Sequence, residues 1–210
     1  MIYYENRSLF IHIPRTSGIS ICQAVLSQCC PHDTGLNVVL GHGIGRFHRH
    51  IQAHNLAGIL RDWQILEKYA VVRNPWRICE SFYRHVLQQH RDVDRIWASS
   101  QHRQFLTKAS EMEFSQFVVW HFEFLRRGFF HHWCCSWETD SPLDVMAFRF
   151  EQLDDDWPKI CRLLLIPQDT PRPRENASPR MELTWSEEAI AFIRDRCSLD
   201  FELFDYPEHP

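Results

Sequence analysis

Residues 8 to 13 form an almost continuous apolar run that ends at Pro14, the pattern of a strand buried on both faces. A polar turn, Arg15-Thr16-Ser17-Gly18, follows it. Ile21, Cys22, Val25 and Leu26 then recur at helical spacing on one face, so the chain opens as strand, loop, helix. Residues 52 to 66 carry a helical pattern and lead to a second buried strand over 69 to 72. Asn74 and Pro75 predict a helix start, with Asn as the cap and Pro in the first turn, where its missing N–H costs nothing. Ile78, Cys79, Phe82 and Val86 supply the buried face of that helix.

Ser110 with Glu113 has the spacing of a capping box before a helix carrying Phe114, Phe117, Val118 and Leu125, and Gly128 suits its exit. Residues 145 to 150 predict a third strand. Residues 154 to 165 are amphipathic through Trp157, Ile160, Cys161 and Leu164. Thr184 with Glu187 predicts the start of a last helix through Ile190, Ile193 and Cys197. Strands alternating with helices predict an α/β layer fold with a mainly parallel sheet flanked by helices. Such sheets bind ligands at the carboxyl ends of their strands, where both short polar turns fall.

Composition narrows the picture. A chain of 210 residues, 44% apolar and 24% charged, is expected to fold as one domain over 1–210. The opening MIYYENRSLF lacks the uninterrupted apolar stretch of a secretory signal, and nothing resembles a 20-residue apolar span, so a cytoplasmic protein without a membrane span is expected. A net charge of −4 with 13 histidines gives no broad cationic footprint, which argues against nucleic acid as a partner. Several of the eight cysteines lie on apolar helix faces, as buried free thiols do. Neither His131-His132-Trp133-Cys134-Cys135 nor Cys29-Cys30-Pro31-His32 has the ligand spacing of a zinc site, so no metal is expected. The stripe Phe114, Phe117, Phe122, Phe124 reads as core or as a cleft wall.

Two segments carry chemistry. In Phe10 to Ser20, the small residues Thr16, Ser17, Gly18 and Ser20 after a buried strand let backbone N–H groups approach an anion, and Arg15 adds a positive charge. The spacing is not that of the nucleotide-triphosphate loop GxxxxGK[ST]. In Val71 to Tyr83, Arg73 at a strand end can hold a phosphate bidentately, with Ser81 on the next helix as a further donor.

Together these segments resemble the sulfotransferases that use 3′-phosphoadenosine 5′-phosphosulfate (PAPS), in the branch of bacterial and Golgi carbohydrate sulfotransferases. Their pattern is approximately HIPKTGGTS followed by VRNPxxRxxSxY. The matching residues are His12 to Ser20 and Val72 to Trp76, with Ser81 and Tyr83 at the expected offsets. Phe148 to Leu153, Glu175 to Ser178 and Asp200 to Tyr206 resemble further family segments, whereas 90 to 144 match weakly. The resemblance implies a P-loop-like three-layer α/β sandwich. It implies that Arg15, Thr16, Ser17, Gly18, Ile19 and Ser20 hold the 5′-phosphosulfate, that Arg73 and Ser81 hold the 3′-phosphate, and that PAPS is the co-substrate. The acceptor is then a hydroxyl-bearing glycan or small molecule.

Sulfuryl transfer needs a base for the acceptor hydroxyl, and histidine suits neutral pH. Relatives place it in a segment similar to His50-Ile51-Gln52-Ala53-His54-Asn55-Leu56, which makes His50 the candidate; His42, His48 and His54 are the alternatives. Arg15 stands where the family has lysine, and Ser17-Gly18 where it has Gly-Gly. Arginine can neutralise developing charge, giving Arg15 a catalytic role, but does not readily give up a proton. Two other readings stay open: a kinase-like phosphoryl transferase, and a protein that binds PAPS or its product without turnover.

Overall fold

A computed structural model of the chain describes residues 1–28, the backbone of 36–38, and residues 50–94, 99–173 and 181–210. They fall into two compact units, Met1–Arg73 with Phe129–Glu175 and Asn74–Gly128 with Asn176–Pro210.

The first unit is α/β. Its strands are β1 (Ile2–Tyr4), β2 (Ser8–Ile11), β3 (Leu36–Val38), β4 (Glu67–Val72) and β5 (Val145–Arg149), in the sheet order β3-β1-β2-β4-β5. β2, β4 and β5 are mutually parallel, but β1 runs antiparallel to both β2 and β3. The sheet is therefore mixed rather than mainly parallel. The cause is a hairpin too short to leave a period in the sequence: Arg7 N donates to Tyr4 O at 3.1 Å, and Asn6 adopts a φ of 57°, a conformation that asparagine tolerates. Asp62 clasps this hairpin, accepting from the Tyr3 hydroxyl at 3.0 Å and from Asn6 N at 2.6 Å. Burial first, and Asp62 second, push the Tyr3 hydroxyl well above its ordinary pKa.

Helices α1 (Gly18–Gln28) and α7 (Leu153–Leu163) cover one sheet face. Ile21, Cys22 and Val25 of α1 meet Phe10, Tyr69, Val71 and Phe148 of the strands and Trp157, Ile160 and Cys161 of α7. Strand alternation sends Leu9, Ile11, Ala70 and Val72 to the other face, where they are also buried. Leu26, expected on the buried stripe of α1, is 46% exposed. The helical pattern over 52 to 66 resolves into a short helix, α2 (Ala53–Ala57), and a 3₁₀ turn (Trp63–Ile65). The helix stops at Gly58, and the bonds of Asp62 to the hairpin hold the chain in a turn where a helix could have continued. A further helix, α6 (Phe129–Cys134), packs on β4 and α2.

The second unit is helical: α3 (Pro75–Arg91), α4 (Ser100–Ser110), α5 (Phe114–His121), α8 (Glu187–Arg196) and α9 (Ser198–Phe204). Asn74 caps α3 as expected, its Oδ1 accepting from Trp76 N at 3.0 Å, and the buried Trp76 indole donates to Pro207 O at 2.8 Å. Ser110 is not a cap: it ends α4, and the capping box before α5 is built by Glu113 and Gln116. α5 stops at His121, well before Gly128, whose φ of 141° and approach to Asp200 leave no room for a side chain. The last helix starts at the Ser186 cap rather than at Thr184 and is interrupted at Cys197. Phe114, Phe117 and Phe122 are core, as expected, while Phe124 is exposed.

Cys22, Cys79, Cys134, Cys135, Cys161 and Cys197 are buried, as expected; Cys29 and Cys30 lie outside the described residues. Among the described residues no helix is long and apolar enough to cross a membrane, and no three His, Cys, Asp or Glu side chains gather as metal ligands.

Candidate anion-binding and proton-transfer site

The turn after β2 has an unusual backbone. Arg15 and Ser17 sit at φ values of 66° and 71°, whereas Thr16 between them and Gly18 after them do not enter the left-handed region. A non-glycine residue held there costs roughly 1–2 kcal/mol, so the surrounding structure must enforce both conformations. Alternation of left- and right-handed residues turns successive N–H groups toward one concave side, the geometry of an anion nest. The amides of Gly18, Ile19 and Ser20 precede the first backbone bond of α1, from Ile21 N to Ser17 O at 3.1 Å, and add the positive end of that helix. Thr16 is buried with its hydroxyl donating to Ile13 O at 2.8 Å. Its side chain therefore braces the turn, and only its main chain faces the nest.

Gly18 is required for a second reason. A Cβ at this position would lie 2.0 Å from the imidazole of His12, itself buried under the turn. His12 stacks on Phe10 of β2, with ring centres 6.0 Å apart, so the strand core sets the height of the turn.

Arg73, which follows the last residue of β4, reaches into the same turn. Its guanidinium donates to Arg15 O at 3.1 Å and lies 4.2 Å over the ring of Phe150. Burial, and then the like charge of Arg73, lower the Arg15 pKa to about 10, so Arg15 remains cationic at neutral pH. Phosphate charge bound at either guanidinium relieves that repulsion. The sheet register supplies a third arginine: Val72 pairs with Arg149, which puts Arg149 at the carboxyl end of β5 beside the strand that Arg73 follows. In the sequence Arg149 belongs only to the segment Phe148 to Leu153. The signal that singles it out is its place at the end of a parallel strand, readable only once the register is known.

His50 lies against the turn. Its Nδ1 is 3.0 Å from His12 O, and its ring centre is 4.5 Å from that of His12 and 6.1 Å from that of Trp133. A carbonyl oxygen only accepts, so Nδ1 carries the proton and the neutral ring holds its lone pair at Nε2. That is the tautomer a base requires. Of the alternatives, His54 stacks on Trp137 with ring planes 2° apart, and His42 and His48 lie outside the described residues, as does the segment 175–178. Ser81 is a buried residue of α3 in the second unit.

Sequence reasoning named His132 only within a rejected zinc cluster and gave it no role beside His50. Gln52 Nε2 donates to His132 Nε2 at 2.8 Å, and burial, followed by the neighbouring His131, lowers the His132 pKa to about 4. His132 is thus a neutral hydrogen-bond acceptor beside the Trp133 ring, whose centre lies 6.1 Å from that of His50.

Compared with family models, curated proteins and solved structures, the chain gives no match.

Proposed function

We propose that the chain is a sulfotransferase that moves a sulfuryl group from PAPS to an acceptor hydroxyl. The observation that carries this reading is the bond from the Arg73 guanidinium to Arg15 O, which joins the two arginine-bearing segments at one strained, amide-lined turn. His50, oriented by His12 O, stands beside the same turn. In the proposed reaction the acceptor oxygen forms a bond to sulfur as the bond between sulfur and the bridging phosphate oxygen breaks. His50 Nε2 takes the hydroxyl proton, and adenosine 3′,5′-bisphosphate leaves with the bond's electron pair. The nest amides and Arg15 favour charge developing on the departing phosphate. Arg73 is assigned to the nucleotide's 3′-phosphate. The α/β unit then corresponds to a P-loop-like sandwich with an antiparallel hairpin added to its edge.

A second reading, binding of PAPS or its product without turnover, draws on Arg15, which remains cationic and cannot hand a proton to the bridging oxygen as a lysine can. Thermal-shift titrations test the ligand: adenosine 3′,5′-bisphosphate is expected to raise the melting temperature, and ATP with magnesium is not. Transfer of ³⁵S from labelled PAPS to pooled glycans and phenols separates enzyme from binder. Stabilisation by ATP alone overturns both readings in favour of a phosphoryl transferase.

A further inference from the structure

Trp137 is 51% exposed, yet it is held in place more firmly than a solvent-facing indole needs to be. It sits in the loop that closes between α6 and β5. Ser136 N donates to Ser141 O at 2.8 Å, Leu143 N to Cys134 O at 3.1 Å, and Asp140 N to Ser136 O at 3.0 Å. The Ser136 hydroxyl accepts from Glu138 N at 3.2 Å, and buried His131 grips Asp140 Oδ1 through Nε2 at 2.8 Å. These bonds leave the loop little freedom, and one large flat ring stands exposed on it. His54 stacks on that ring, with centres 5.7 Å apart and planes within 2° of parallel, and backs one of its faces.

The ring is also connected to the candidate site. Rings follow one another from His50 to Trp133 at 6.1 Å, Trp133 to His132 at 4.8 Å and His132 to Trp137 at 6.3 Å. Polar side chains run alongside: Asn55 donates to Gln52 Oε1 at 3.0 Å, and Gln52 donates to His132. Glu138 and Thr139, next to Trp137 in the loop, are exposed.

From this arrangement we infer that Trp137, backed by His54, is a stacking platform for a pyranose ring of the acceptor, which makes the acceptor a glycan. The inference rests on the sulfotransferase reading for the word acceptor, but the binding site stands on its own geometry. An indole backed on one side and open on the other fits a ring that is apolar on one face and ringed by hydroxyls at its edge. The open face takes the C–H side of the sugar, and the exposed carboxylate of Glu138, next in the loop, accepts from its hydroxyls. A phenol is better served by a closed apolar slot, where both of its faces leave water.

The test uses the full chain carrying 5-fluorotryptophan, with the Trp137 ¹⁹F resonance assigned by its loss in Trp137→Phe. Cellobiose, N-acetyllactosamine, chitobiose and 4-nitrophenol are titrated separately, without nucleotide. A saturable shift of the Trp137 resonance with at least one sugar, and none with the phenol, is expected. By calorimetry that sugar's affinity falls about 10-fold in Trp137→Ala and much less in Trp137→Phe, which keeps an aromatic face. No movement of Trp137 with any of the sugars, or an equal movement with 4-nitrophenol, overturns the platform. Adenosine 3′,5′-bisphosphate is titrated in parallel. If it binds while the sugars leave Trp137 unmoved, the platform alone fails; if sugars move Trp137 and the nucleotide does not bind, sulfotransfer alone fails.

Discussion

The imidazole of His12 fills the space that a side chain at Gly18 would occupy, with the nearest ring atoms 2.0 Å from the position of a Cβ. One residue of the strand end therefore dictates the residue type at the start of α1. Gly18→Ala is expected to push His12 aside and destabilise the protein by about 1–3 kcal/mol, the usual range for overpacking. Because His12 O also orients His50, in the proposed reading sulfuryl transfer should fall by more than the loss of folded protein explains. Urea denaturation alongside ³⁵S transfer checks both expectations.

Arg73→Ala removes a charged donor from the turn and, in the proposed reading, from the 3′-phosphate. Affinity for adenosine 3′,5′-bisphosphate is expected to fall roughly 10- to 100-fold by calorimetry, the equivalent of one charged hydrogen bond. Arg73→Lys should recover only part of it, since an ammonium cannot bond in the fork geometry of a guanidinium.

For His50→Gln the expected pattern is a split. Nucleotide binding, measured by thermal shift, stays near that of the parent, while turnover drops by about 10²–10⁴, the usual contribution of a general base. Equal turnover in the parent and the variant would remove His50 from the mechanism and return the role to another histidine.

Acid sensitivity follows from two half-buried histidines. His132 and His121 are held at pKa values of about 4, in each case chiefly by burial, against an ordinary value near 6.5. Between those values the unfolded chain binds protons that the folded chain refuses, so stability is full above about pH 6.5 and falls as the pH drops toward 4. For His132 the loss includes the hydrogen bond from Gln52, which a protonated ring cannot accept. Urea midpoints measured from pH 7.5 to 4.5 should decline, and His132→Gln should flatten part of that decline.

Arg15→Lys tests the proposed reading at the position where the sulfotransferases that the turn resembles carry lysine. Turnover that appears only in the lysine variant supports a binder that has lost its chemistry; comparable turnover in both supports an enzyme that works with the guanidinium.

Much was legible in the chain itself. The buried strands, the polar turn at Arg15 to Gly18 and the Asn74-Pro75 helix start are local signals, because burial on both faces, turn chemistry and capping all act within a few residues. The same locality explains why Thr16, Ser17 and Gly18 could be read as a cradle and why six cysteines could be read as buried thiols. Other features depend on partners distant in sequence. The hairpin that makes the sheet mixed is secured by Asp62, 56 residues from Asn6. The break in the pattern over 52 to 66 has the same origin. Ser110 could not be read correctly because a helix the sequence does not announce, α4, runs through it.

By itself the sequence determined which residue types stand at the strand ends, since the apolar runs that bury strands end where polar turns begin. Tertiary structure alone decided that Arg73 bonds the Arg15 carbonyl across 58 residues, that Arg149 shares their sheet edge through its pairing with Val72, and that His12 fixes both Gly18 and the tautomer of His50. The reason is geometric. A hydrogen bond or a close contact depends on distances of a few ångströms between chain segments, and those distances are set by strand register and helix packing, which no stretch of residues encodes alone.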